Sequence, residues 1–165
     1  MRYQTVLFDV DNTLLDYRQA EAYALESAWR KRGYDYTPKV LETYREINDA
    51  LWIALEKGEI TKQELMAARF QSVFEALSMK EGWKGFNDLY IAGLAETAFP
   101  LDGALETVRT LHEMGVTLAV ASNGIAWAQR KRMENAGLLP YFHKVYVSEA
   151  IGAAKPRAAF FAHAW

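Results

Sequence analysis

Three short apolar, β-rich runs, far apart in the chain and each broken off by a polar cluster, constrain this sequence more than any other feature. The first is Thr5-Val6-Leu7-Phe8, cut off at Asp9-Val10-Asp11-Asn12-Thr13. The second is Val116-Thr117-Leu118-Ala119-Val120-Ala121, ending at Ser122-Asn123-Gly124, and the third is Val145-Tyr146-Val147, ending at Ser148-Glu149. Runs of this kind read as strands of a parallel sheet covered on both faces. Helical periodicity fills the intervals. Leu105, Val108, Leu111 and Met114 lead to Gly115 just before the second run, and another helix opens after Gly124 and stops near Gly137. Alternating strand and helix predicts right-handed crossovers and an α/β fold, a Rossmann-like doubly wound parallel sheet. Such sheets bind ligands outside the carboxyl ends of their strands, where all three polar clusters fall.

Between the first and second runs the periodicity is helical throughout. Leu41, Tyr44, Ile47, Leu51, Trp52 and Leu55 share one face, with Thr37-Pro38 as cap and first-turn proline and Gly58 as the stop. Thr61 and Glu64 then have the spacing of a capping box, followed by a second apolar stripe that includes Leu65, Phe70, Val73 and Phe74. Gly82 and Gly85 mark a loop before a further helix around residues 86–96. Residues 16–96 are therefore expected to form a helical insertion, with 1–15 and 97–165 forming a discontinuous core.

Composition removes several functions. With 19 basic and 21 acidic residues the formal charge is −2, which gives no basic surface for a nucleic acid polymer or a membrane. No cysteine occurs, so disulfides, thiolate metal sites and a cysteine nucleophile are all excluded. His112, His143 and His163 have no metal-ligand spacing. The amino terminus lacks a signal-peptide core and no apolar run reaches membrane-spanning length, so a cytoplasmic location is expected.

Asp9 and Asp11 lie one residue apart at a strand end. Both can face one crevice if the backbone turns there, and two close carboxylates call for a hard cation such as Mg2+. Asp9 could then attack phosphorus while Asp11 protonates a leaving alkoxide. Ser122-Asn123-Gly124 opens a helix, where a hydroxyl and backbone N–H groups suit phosphate oxygens. Lys155-Pro156 could set a cation beside the transferring group. Each has a plainer reading: a solvated turn for the acid pair, an N-cap for the serine, and an ordinary surface lysine. Their order, one beyond each strand, favours the chemical reading.

In that order and spacing the whole chain resembles the haloacid dehalogenase superfamily of phosphotransferases. The resemblance implies Asp9 as nucleophile, Asp11 as acid/base and Thr13 as a hydroxyl supporting that loop. It implies a phosphate site at Ser122, Asn123 and Gly124, Lys155 as the motif lysine, Mg2+ at Asp9 and Asp11, and a helical cap between the first two motifs. Phe8 to Asp16, Leu51-Trp52 through Gly58-Glu59-Ile60-Thr61, Arg69-Phe70, and Val147-Ser148-Glu149 with Gly152 and Lys155-Pro156 are similar to the pyrimidine 5'-nucleotidase group. That likeness implies hydrolysis of nucleoside 5'-monophosphates through an aspartyl-phosphate. Trp52 or Phe70 could stack on a base, although both sit in apolar helical stripes where packing is the commoner role. Other phosphatases, acting on phosphoglycolate or sugar phosphates, and phosphomutases share the same motifs.

One family element is missing. No acidic motif follows Lys155, and the sequence ends in Phe160-Phe161-Ala162-His163-Ala164-Trp165. The expectation is a truncated or incompletely represented enzyme, weakly active or inactive, whose first strand presents an unpaired edge. A short protein pairing that edge in a dimer is the competing reading, so the chain is expected to be a monomer or a homodimer. A noncatalytic binding module is the alternative of another class.

Overall fold

The computed structural model describes residues 4–164. In order they form β1 (Thr5–Phe8), α1 (Tyr17–Lys31), α2 (Pro38–Lys57), α3 (Lys62–Ala76), α4 (Phe86–Ala95), α5 (Ala104–Glu113), β2 (Thr117–Ser122), α6 (Ala126–Asn135), β3 (Lys144–Val147), α7 (Ser148–Ile151) and α8 (Ala158–Ala164). A single 3-10 turn, Leu139–Tyr141, precedes β3. The chain divides into two compact units, one made of Met1–Glu21 and Leu94–Trp165, the other of Ala22–Gly93.

The first unit is built on a three-stranded parallel sheet in the order β1-β2-β3. Its register pairs Phe8 with Val120 and Ser122 with Val147, so all three strands end at one edge. The architecture is the α/β parallel sheet that the apolar runs predict. β2 lies one residue later than its apolar run. Val116 donates its N–H to the Leu111 carbonyl at 3.1 Å in the turn leaving α5, while Ser122 still pairs with β3. The core beneath the sheet holds Val10, Leu14, Leu15, Val108, Leu118, Val120, Met133 and Leu138, with Phe8 edge-on to Phe142 at 5.9 Å. Val10, Leu14 and Leu15 anchor the loop that carries the acid pair, because each is buried to within 1% exposure.

The second unit is helical. α2 begins at Pro38 after an extended Thr37 and ends at Gly58, whose φ of 78° is the left-handed stop that glycine allows. The Thr37 hydroxyl makes no cap bond, so the proline supplies this start. At α3 the box forms in full: Glu64 N–H donates to Thr61 Oγ1 at 3.2 Å and Thr61 N–H donates to Glu64 Oε2 at 2.7 Å. Trp29, Phe70, Phe74, Phe86, Tyr44 and Tyr90 fill the interior of this unit. Phe70 is 1% exposed and contacts Tyr44, Phe86 and Tyr90 at ring distances of 4.9–5.6 Å. It has no open face for a base, so packing is its role here. Trp52 is partly exposed. Arg69, next to Phe70 in sequence, is buried, bonded to Asn48 Oδ1 at 3.3 Å and to Asn87, with its guanidinium 4.9 Å from the Tyr90 ring.

Two outcomes follow from this packing. Phe70→Ala should cost about 3–5 kcal/mol in denaturant unfolding, whereas a base-stacking residue would lose substrate affinity at unchanged stability. The hydrogen bonds from the Thr61 backbone and hydroxyl hold the Glu64 carboxyl below its usual range. A lowered folded value means that the contribution of the Glu64 carboxylate to the box is complete above the ordinary carboxylate range and is lost as pH falls through the lowered value. The gap between thermal melts of wild type and Thr61→Ala should therefore be widest near neutrality and narrow in acid without closing, because the Glu64 N–H bond to Thr61 Oγ1 does not titrate.

Candidate active site

The loop after β1 leaves the extended conformation at once. Asn12 takes φ 58°, and the N–H groups of Thr13, Leu14 and Leu15 all donate to the Val10 carbonyl, at 3.3, 2.9 and 3.0 Å. An asparagine tolerates that left-handed position better than most residues. The Asn12 side chain then accepts the Tyr17 N–H at 3.1 Å, and Asp16 caps α1 by accepting from Gln19 N at 2.9 Å. This tight turn presents both aspartates beyond the sheet edge.

Asp9 meets Lys155. The ammonium lies 2.8 Å from Asp9 Oδ1, and the same oxygen accepts the Val10 N–H at 2.8 Å. Both contacts fall on Oδ1, so Oδ2 carries no hydrogen bond among the described residues. The Asp9 side chain is 46% exposed, which leaves that oxygen accessible to a ligand.

Asp11 is held differently. Arg132 Nη1 is 2.5 Å from its Oδ1, and Gln129 Nε2 donates to its Oδ2 at 2.6 Å. Both partners come from α6, three residues apart on its inward face, and both are buried. Gln129 Nε2 also lies 3.0 Å from Ser122 Oγ, and its carbonyl accepts from Arg132 Nη1 at 2.8 Å. One glutamine thus joins the acid loop to the end of β2. The sequence reading missed this pair. Two polar residues at i, i+3 on a helix face otherwise lined by Ala128 and Met133 were the available signal.

The Ser-Asn-Gly segment is tied into its surroundings in three ways. Asn123 Nδ2 donates to the Lys155 carbonyl at 3.0 Å and its Oδ1 accepts the Lys155 N–H at 2.9 Å. It clamps the lysine segment to β2. Gly124 is needed for a neighbour: a Cβ there would lie 2.6 Å from Gln129 Nε2 and 2.7 Å from its Cγ. Gly124 N–H donates to Ser122 Oγ at 3.0 Å, and Ala126 N–H donates to Glu149 Oε2 at 3.1 Å. Ser122 accepts two bonds, which leaves its own O–H as a donor. Thr13 is exposed in the turn.

Asp9 and Lys155 touch directly, Asp11 reaches Ser122 through Gln129, and Asn123 ties the lysine segment to the same strand end. The four residues whose convergence the motifs require are therefore one connected network. The model of a hydrolase family, haloacid dehalogenase-like hydrolase, matches residues 3–165. The chain belongs to the haloacid dehalogenase-like hydrolase family. It is 33% identical to the HAD-hydrolase YfnB of Bacillus subtilis over 160 residues, covering 97% of this chain and 68% of that protein. The crystal structure of YfnB bound to magnesium superposes with a TM-score of 0.92 at 32% identity, covering 99% of this chain and 72% of the other. Pyrimidine 5'-nucleotidase PynA of Streptococcus pneumoniae is 35% identical over 161 residues, 98% of this chain and 68% of its own length. Pyrimidine 5'-nucleotidase YjjG of Escherichia coli is 29% identical over 164 residues, 99% of this chain and 71% of its own.

As a haloacid dehalogenase-like hydrolase, the chain has its polar centre on the sheet edge where the fold class binds ligands. The described residues contain no helix long and apolar enough to cross a membrane. Asn123→Ala should release the lysine segment and lower the hydrolytic kcat/KM by about 10²-fold, measured with a chromogenic ester at saturating Mg2+.

Proposed function

We propose that the chain is a phosphomonoester hydrolase acting on nucleoside 5'-monophosphates, with Asp9 as nucleophile and Asp11 as acid and base. The observation that carries this reading is the Asp9 carboxylate, fixed through Oδ1 by Lys155 at 2.8 Å and with Oδ2 unengaged beyond the strand ends. An anchored but accessible carboxylate beside a cation suits attack on an anionic phosphoryl group.

In the first step Asp9 Oδ2 attacks phosphorus in line and the ester P–O bond breaks. Its electron pair passes to the leaving oxygen, which takes the proton of the Asp11 carboxyl. In the second, water attacks the phosphorus of the aspartyl-phosphate and gives a proton to Asp11. The bond to Asp9 breaks, releasing inorganic phosphate. Lys155 offsets charge on the phosphoryl oxygens, and the Ser122 hydroxyl donates to one of them.

The donor set fits Mg2+, which is commonly held by one or two carboxylates together with phosphate oxygens and water. Asp9, with Asp11 in the same loop, would hold it. The described residues hold no group of three or more acidic or histidine side chains placed for a metal. When bound, the ion supplies charge neutralisation at the phosphoryl oxygens.

Likeness to two pyrimidine 5'-nucleotidases supports the nucleotide preference. Dehalogenation fits less well, since cleavage of a carbon–halogen bond needs no proton donor for the leaving group. Release of inorganic phosphate from a panel of nucleoside 5'-monophosphates, phosphoglycolate and sugar phosphates tests the reading, with EDTA and Mg2+ add-back. Asp9→Asn should reduce turnover by about 10³-fold or more. Equal activity of Asp9→Asn and wild type would sink the assignment, and higher kcat/KM for a sugar phosphate would displace the nucleotide preference.

A further inference from the structure

Arg132 and Gln129 lie outside every motif that marks the site, yet they hold both oxygens of Asp11. We infer that they are positioning residues for the Asp11 acid/base, a role that rests on the reading of Asp11 given above. Arg132 is 1% exposed, its Nη1 within 2.5 Å of Asp11 Oδ1, and the same Nη1 donates to Gln129 at 2.8 Å. A guanidinium buried this deeply is expensive unless a carboxylate answers it. Among the described residues, Asp11 is the carboxylate it pairs with. Gln129 is 3% exposed and fixes the second oxygen at 2.6 Å. With both oxygens held, the carboxyl has one orientation, and Gly124 secures it by leaving the room that Gln129 occupies.

The arrangement bears on a particular moment of the reaction. As the leaving oxygen takes its proton, the Asp11 carboxyl is already held at both oxygens, so no search through side-chain orientations precedes the transfer. Arg132 also fixes Gln129, so the two side chains act as a unit. A role limited to packing would affect every substrate alike. Positioning of an acid has a different signature: the loss depends on how much the leaving group needs its proton.

The test compares kcat/KM, which covers steps through P–O cleavage, for a nucleoside 5'-monophosphate and for 4-nitrophenyl phosphate. The alkoxide leaving group needs protonation; the nitrophenolate needs little. In the full chain with Mg2+, Arg132→Met and Gln129→Leu should lower the nucleotide-to-aryl ratio by about 10-fold or more, in the same direction as Asp11→Asn. Arg132→Lys, which keeps the charge, should recover part of it. If Asp11→Asn lowers the ratio but Arg132→Met and Gln129→Leu leave it at the wild-type value, the positioning role is overturned. If Asp11→Asn itself leaves the ratio unchanged, the acid assignment fails, and the role of its two partners fails with it. Should Arg132→Met not fold, Gln129→Leu and Arg132→Lys decide the same question.

Discussion

Parallel pairing of β2 with both of its neighbours is the constraint on which the site depends. Because Phe8 pairs with Val120 and Ser122 with Val147, residues more than a hundred positions apart leave the sheet at the same level. Asp9, Ser122 and the segment leading to Lys155 become neighbours for no reason local to any of them. The apolar residues that fix the register, Leu118 and Val120 above all, also bury Val10, Leu14 and Leu15. Sliding β2 by a residue would exchange Leu118 and Val120 with Ala119 and Ala121 between two buried faces of unlike volume. The positions of the carboxylates are thus as secure as the hydrophobic core.

Electrostatics sets the second constraint. Two aspartates at one strand end repel each other unless each has its own partner, and the structure supplies a different one for each. Lys155 is partly exposed and reaches Asp9 from a surface segment, while Arg132 reaches Asp11 from the interior of α6. Stranding a buried guanidinium by removing its carboxylate costs about 3–5 kcal/mol, so the inner pair is held by folding energy and the outer one is open to exchange with a ligand. The two carboxylates of one short turn are therefore placed in unlike surroundings, a common way of separating the duties of paired acids.

The sequence made the skeleton readable. Periodicity located the three strands and the helices from α2 to α6, with α1 included only in the broad helical insertion, and the Thr61–Glu64 spacing announced a box that forms in full. Acid pair, serine segment and lysine could be found because chemistry confines such residues to strand ends. At Asn123 and Gly124 the spacing named the residues but not their neighbours: the amide grips the Lys155 backbone, and the missing Cβ makes room for Gln129. Those partners are chosen by tertiary packing, which a one-dimensional spacing does not encode. Gln129 and Arg132 escaped notice for the same cause. Polar residues on a helix resemble its solvated face until the opposite side is known, and only the fold reveals that these two point inward. Phe70 shows the reverse: its stripe position foretold burial better than its ring chemistry foretold binding.

Asn123 grips the main chain of residue 155 through both ends of its amide and leaves that residue's side chain untouched. The tether therefore fixes the root of a long, flexible amine without freezing its tip. Such a cation can swivel, following negative charge as it migrates from a carboxylate to an incoming ligand and back, while the loop beneath stays still. Rigidity at the anchor and freedom at the head are supplied by separate bonds, so neither has to be sacrificed for the other.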